Sequence, residues 1–360
     1  MKKTILLVIG WIVLSTAFML VTWNRFGIQT DTVFTGYVAQ APTWNPLDVV
    51  VRGDGVWYLD IVKHGYVPSA DSSGVSNVVF FPFYPLLIWL FQYLFLGQAV
   101  LAGWLISIAS LIGACLVLRR LIIDFHPEID PEKAIWFALL FPTAVFFATV
   151  YSESLFLFLS IATVYALRKR SYALAGAIGC LASLTRVTGF LLLVIAMIEF
   201  FSQPDWKKRI DGLWLLLIPL GLLAFFAYHA IAFHDPLLFF HAEAGFGRSF
   251  RFSSDYWQPP PDLSRVVLGL DVAFFAFGLM VSFHIIRTIR RSYGIYMLAT
   301  LGLAFMSGTL MAINRYEAVL FPIPMLFASM KPSRQPFILF VSTLLLAMNL
   351  MLFAQGSWVG

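Results

Sequence analysis

Asp54 stands between Gly53 and Gly55 in the stretch RGDGVWYLDIVKHGY, residues 52 to 66. A carboxylate kept open by small neighbours can take the proton of an attacking hydroxyl. It can equally cap the helix that the spacing of VWYLDIV predicts, accepting an amide hydrogen two or three residues on. Both readings stand on the sequence. At about 100° per residue, Asp60 lies roughly 240° round that helix, so the two acids share no face and Asp60 reads as solvated or ion-paired. Arg52 and Tyr66 close the stretch, and with Asp60 they make up the polar side chains near Asp54 that a substrate would meet.

Further along, Glu153 in Tyr151-Ser152-Glu153-Ser154 is an acid in a short link between apolar runs, where Ser152 could serve as a simple helix cap. Arg186, in LTRVTG between two apolar runs, needs an anionic partner at that depth, either Glu153 or a ligand phosphate. His241, Glu243, Arg248 and Arg251 are interleaved with Phe246, Phe250, Phe252, Tyr256 and Trp257 ahead of Pro259 to Pro261. That pattern reads either as an aromatic interfacial loop or as a forked-donor site for a phosphate leaving group. Arg315 in INRYEAVLFP is a second phosphate candidate at the end of a span.

Other chemistries find no support. His229, His234 and His241 lack the i, i+4 spacing of a helical zinc pair, and Cys115 and Cys180 each sit in an apolar run as small buried residues. GFGRSF is too short for a dinucleotide loop, and no nucleophile elbow, P-loop or zinc-cysteine pattern occurs. No cofactor and no metal ligand is therefore expected, although a divalent ion is not excluded.

These residues must be positioned by elements that live in lipid. The chain is 60% hydrophobic and only 12% charged, against roughly 25% charged in a soluble domain. Apolar segments predict spans near residues 4–23, 99–118, 134–150, 155–167, 172–185, 188–202, 212–233, 265–286, 293–313, 318–330 and 337–354. The expectation is one all-α polytopic domain over residues 1–360 with about eleven transmembrane helices. Lys2, Lys3 and the apolar run Ile5 to Val21 resemble a secretion signal, but TWNRFG follows in place of a small-residue cleavage site, so the run reads as an uncleaved anchor.

Topology decides the ambiguous run Phe80 to Gly97, which is long enough to span but carries Pro82 and Pro85. If it does not cross and Lys2 and Lys3 are cytoplasmic, 16 of the 24 basic residues are cytoplasmic and every dense cluster with them. The run is therefore assigned as re-entrant or interfacial. Residues 24–98 then form a large first non-cytoplasmic loop containing interfacial helices, and 234–264 a second. The net charge of +5 sets topology and implies no nucleic acid. The four charges of residues 52–64 would each cost about 2.5–3.5 kcal/mol at the bilayer centre, so that stretch lies outside the hydrocarbon, where a carboxylate is placed for chemistry on a lipid-linked substrate.

Taken in order, RGDGVWYLDIVKHGY, VVFFPFYPLL, LLFPTAVFFATVYSESLFLFLS, ASLTRVTGFLLL and NRYEAVLFPIPMLFAS resemble the PIG-V mannosyltransferase family, a group within the GT-C class of membrane glycosyltransferases. The resemblance spans residues 52 to about 328. It implies a GT-C-type bundle with a catalytic acid in the first non-cytoplasmic loop, a polyprenyl-phosphate sugar donor, typically of mannose, and inversion at the anomeric carbon. The family's aspartate falls on Asp54, its Gly-Tyr pair on Gly65 and Tyr66, its Phe-Phe-Pro on Phe80 to Pro82, its Tyr-Ser-Glu on Tyr151 to Glu153 and its Arg on Arg186. The Trp that usually precedes the aspartate is Gly53 here, and Gly55 replaces a common Ala, which bears on where the acceptor docks.

The resulting expectation is transfer of a hexose from a polyprenyl phosphate to a lipid-linked or glycan acceptor, on the outer side of a prokaryotic plasma membrane. Asp54 is the expected base, and Arg186, His241, Arg248 or Arg315 the groups that stabilise the departing phosphate. Arg52, Asp60, Tyr66 and Glu153 are further substrate contacts. One rival keeps the fold and changes the sugar. The other is a transporter or lipid flippase, which would place ionisable residues near the bilayer midplane; Asp271 is one of very few acids within a span.

Overall fold

The computed structural model of the chain describes residues 1–27, 46–68, 75–208, 210–248, 265–357 and 359, and among them all regular structure is helical. Arg251, the aromatic residues 250–257, Pro259 to Pro261 and Asp71 lie outside the described residues. Each of the eleven apolar segments is helical over most of its length. Among the described residues, five helices are long and apolar enough to cross a membrane: Lys2–Phe26, Ala99–Phe125, Ile210–Phe233, Leu268–Thr288 and Gln335–Ala354. Tyr172–Ser183 and Val187–Phe201 are shorter apolar helices. Phe83–Phe95 is also short; at 1.5 to 2.0 Å per residue it extends only about 20 Å, less than the roughly 30 Å of hydrocarbon.

The chain folds as two compact units. The first comprises residues 1–65, 84–158 and 324–360. It contains α1 (Lys2–Phe26), α2 (Asp54–His64), most of α3 (Phe83–Phe91), α4 (Ala99–Phe125), α5 (Pro131–Leu139), the start of α6 (Glu153–Arg168), most of α14 (Pro322–Ser329) and α15 (Gln335–Ala354). α1 packs on α15 and α4. Pro142 interrupts the predicted span 134–150, because a proline lacks the amide hydrogen a continuing helix needs. α5 ends at Leu139, and a tight helical turn, Ala144–Ala148, carries the chain to the polar link. Asn349 on α15 donates to the carbonyl of Pro142 at 2.8 Å, satisfying one of the groups this break leaves.

The second unit comprises residues 66–83 and 159–323. It holds the remainder of α6, then α7 (Tyr172–Ser183), α8 (Leu192–Phe201), α9 (Leu217–Phe233), α10 (Leu238–Glu243), α11 (Arg265–Thr288), α12 (Arg291–Met306) and α13 (Ile313–Ala318). Small residues let its helices approach closely, which is how packing is won where lipid is as apolar as the side chains. A Cβ on Gly176 of α7 would lie 2.0 Å from the carbonyl oxygen of Trp214, and one on Gly221 of α9 would lie 2.2 Å from that of Cys180. Gly189 packs the 187–191 turn onto α7, its would-be Cβ 2.4 Å from Ala182. Part of LTRVTG is thereby explained by packing alone.

Glu199 of α8 is buried at one end of this unit, where it binds Arg290 at 2.5 and 2.6 Å, Ser292 at 2.5 Å and Arg168 at 3.3 Å. Three helices, α6, α8 and α12, and the link before α12 are clasped through one carboxylate.

Candidate active site

Asp54 opens α2 as its first helical residue. The cap is Gly53, at φ 48°. The carboxylate is half-buried at the helix start. Its own amide donates to the phenol oxygen of Tyr151 at 3.0 Å.

The glycines on either side are explained by this contact. A Cβ on Gly53 would come 2.5 Å from Tyr151 Oη, and one on Gly55 would come 2.9 Å from the Val150 carbonyl oxygen. Gly53 also takes a positive φ, which L side chains adopt only with strain. The amide of Val150 donates to the Val50 carbonyl at 2.9 Å, so residues 50–55 and 150–151 run against each other.

Behind the acid lies a hydroxyl network within the first unit. Tyr58 Oη and Ser152 Oγ are 2.8 Å apart, which engages the hydroxyl expected to cap α6. Tyr84 Oη is 2.8 Å from Ser107 Oγ and donates to the Gly103 carbonyl at 3.0 Å, while Ser107 donates to the carbonyl of Tyr151 at 3.1 Å. The rings of Tyr58 and Tyr84 meet edge to face at 5.0 Å. Glu153, fully buried, begins α6 one residue beyond Ser152. Asp60 is 2.7 Å from His64, one turn on, as the ion-paired reading has it.

Arg52 is 5% exposed. Its Nη1 donates to the carbonyls of Asp48 and Val51, the latter at 2.8 Å, and its guanidinium lies 5.6 Å from the centre of the Trp23 ring. Burial lowers its pKa to about 10, and the Asp48 carboxylate and Tyr151 pull in the opposite direction.

The second unit holds the other candidates. Tyr66 donates to the Phe80 carbonyl at 2.7 Å and packs on Phe225, Tyr228 and His229. Phe81 of the FFP run joins Phe225 and Phe239 in a buried cluster, so that motif does packing work. Arg186 lies 5.7 Å over the ring of Tyr316. Arg315 is buried on α13. His241 sits 2.7 Å from Asp235, and Arg248 donates to Glu243 at 3.4 Å, so each has a local acid.

The sequence reading gave no role to Tyr151's hydroxyl, and it did not foresee two buried polar groups of the second unit. His229 is fully buried among rings with neither ring nitrogen hydrogen-bonded among the described residues, and Glu317 is 1% exposed. Glu317 lies against Gly278, where a Cβ would be 2.3 Å from its Oε1. A lone glycine inside FAFGLMVSF was the available signal for that close approach. Among the described residues no cluster of three metal-ligating side chains occurs.

The family described as mannosyltransferase (PIG-V) matches residues 12–239. No curated protein matches the chain in sequence. Two solved structures are similar in fold. ArnT from Cupriavidus metallidurans, bound to undecaprenyl phosphate, matches with a TM-score of 0.52 at 14% identity over 95% of this chain and 64% of its own. The oligosaccharyltransferase of Archaeoglobus fulgidus, in its apo form, gives 0.50 at 13% identity over 98% of this chain and 56% of its own. The chain thus spans less than two thirds of either, and what the likeness carries is the GT-C fold.

Proposed function

The chain belongs to the mannosyltransferase (PIG-V) family, and from that premise we propose that it is a membrane glycosyltransferase that moves a hexose, mannose first, from a polyprenyl-phosphate donor to a hydroxyl acceptor. The acceptor is lipid-linked or a glycan, and the reaction runs on the non-cytoplasmic face of a prokaryotic plasma membrane. The observation that carries this reading is the setting of Asp54. Its main chain is fixed by Tyr151 and by the close passage of Val150, and its carboxylate is half-buried at the start of α2. A base held that way keeps its direction as the acceptor hydroxyl attacks C1.

Asp54 takes the hydroxyl proton, the new bond forms at C1 on the face opposite the phosphate, and the polyprenyl phosphate departs with the bonding electrons. The growing charge on that phosphate calls for fixed cations. Arg186, His241, Arg248 and Arg315 are the candidate cations for that role. Asp60, Tyr66 and Glu153 remain candidate substrate contacts. The ArnT structure holds undecaprenyl phosphate, which supports a donor of that chemical class.

The test is to supply purified protein in lipid with polyprenyl-phosphate mannose, polyprenyl-phosphate glucose and nucleotide sugars. Transfer is expected from a polyprenyl donor only and falls at least about 100-fold in Asp54→Asn, on the scale of losing a general base. Full activity of Asp54→Asn removes the aspartate from the mechanism, and transfer from a nucleotide sugar removes the donor class.

A further inference from the structure

Arg52 uses only half of its guanidinium. Nη1 meets two backbone carbonyls and so ties down the Pro46–Val50 turn. Nε and Nη2 are buried and have no hydrogen-bond partner among the described residues. These two are not scattered donors. Nη1 is the nitrogen cis to the side-chain stem, so the N–H of Nε and one N–H of Nη2 point the same way along one edge. That edge is the two-pronged donor that matches a pair of oxygens on a carboxylate or phosphate.

A purely structural arginine would be a poor choice here. The two carbonyl bonds could be made by a simpler donor, whereas a charged group with orphaned N–H donors carries a desolvation penalty that nothing on this edge offsets. The Asp48 carboxylate tempers the charge but accepts no hydrogen bond from the Nε–Nη2 edge. Trp23 lies against the guanidinium, and the carbonyl bonds fix its plane. The fork is therefore pre-set, two residues from Asp54.

Resting on the reading that Asp54 serves the transfer reaction, we infer that the Nε–Nη2 edge of Arg52 is a phosphate subsite, holding two oxygens of a substrate's phosphate beside the base. In that reading the substrate has two sources of the group: the phosphate of the polyprenyl donor, or a phosphate carried by a lipid acceptor. The fork serves either by the same two parallel hydrogen bonds.

The experiment is a calorimetric titration of the full-length protein in detergent with undecaprenyl phosphate and, separately, with phosphatidylinositol. Wild type is compared with Arg52→Lys, Arg52→Gln and Arg25→Gln, the last an exposed cation in the same unit. Arg52→Lys keeps the charge and loses the fork, so both Arg52 variants are expected to bind at least about 10-fold more weakly, and Arg25→Gln to bind as wild type. Loss confined to undecaprenyl phosphate supports the subsite and assigns it to the donor; loss confined to phosphatidylinositol supports it and assigns it to the acceptor. Equal affinities of wild type, Arg52→Lys and Arg52→Gln for both lipids overturn it, as does an equal loss in Arg25→Gln.

Should the Arg52 variants fail to fold, a structure of the wild-type protein with undecaprenyl phosphate decides. Phosphate oxygens on Nε and Nη2 support the inference, and a water or protein carbonyl on that edge with the phosphate elsewhere overturns it. Arg52-dependent binding without transfer from any polyprenyl donor sinks the enzyme reading alone. Normal transfer with Arg52-independent binding sinks the subsite alone.

Discussion

The phenol of Tyr151 accepts the amide hydrogen of Asp54 at 3.0 Å, across 97 positions of sequence. The contact ties the start of α2 to the link that precedes α6, so the direction of the candidate base depends on a residue from a different span. Tyr151→Phe removes the acceptor and keeps the ring. Losing one partly buried hydrogen bond costs about 1 kcal/mol, so transfer is expected to fall several-fold to about 10-fold with a small drop in melting temperature. A variant as active as wild type shows that Asp54 is oriented by other contacts.

Gly55 is predicted to be less tolerant than its size implies. In Gly55→Ala the new methyl meets the Val150 carbonyl at 2.9 Å, and the obstacle is backbone that cannot rotate away. In Gly53→Ala the methyl meets the Tyr151 hydroxyl at 2.5 Å on a backbone at φ 48°. Overpacking of this kind costs about 1–3 kcal/mol, and both variants should melt earlier and transfer more slowly. Unchanged melting for Gly55→Ala shows that the 150–151 link yields.

Glu199 is predicted to matter for folding and not for chemistry. Glu199→Ala strands Arg290 and Arg168 without their common carboxylate. Breaking a buried pair by removing one partner costs about 3–5 kcal/mol. Yield and thermal stability should fall sharply, while the activity per folded molecule is preserved. A stable Glu199→Ala with reduced turnover points instead to a coupling between this clasp and the site.

The Asp235–His241 contact sets a pH expectation. The hydrogen bond from His241 holds the Asp235 carboxyl below its ordinary value of 3.8. A carboxylate with a depressed folded pKa contributes stability above its unfolded pKa and loses it as pH falls through the folded one. The 235–241 turn should therefore stay closed from pH 7 down to about 4 and loosen only below that. Amide exchange at Leu237 and His241 reports it, and Asp235→Asn should show the loosened rate at neutral pH. Opening near pH 6 would instead assign the event to a histidine.

How much of this was legible follows from what is local. Helix formation in lipid is decided within each segment, because every backbone group must be satisfied inside it; all eleven apolar segments could accordingly be read along the chain. Asp54 was legible as an acid with open neighbours. Its glycines were read as giving access, whereas they make room for Val150 and Tyr151, a reason that lies 95 or more positions away.

By itself the sequence determined the helical, membrane-embedded class, the ordered motifs and the polar stretch that bears Asp54. These rest on composition and periodicity, which a linear string carries in full. Only the tertiary structure decided that Asp54 begins its helix behind a Gly53 cap, that Tyr151 holds its amide, that Asp235 and Glu243 engage His241 and Arg248, and that one edge of Arg52 has no hydrogen-bond partner among the described residues. The physical reason is that a hydrogen bond is settled by distance and direction between atoms, and packing brings those atoms together without regard to their separation along the chain.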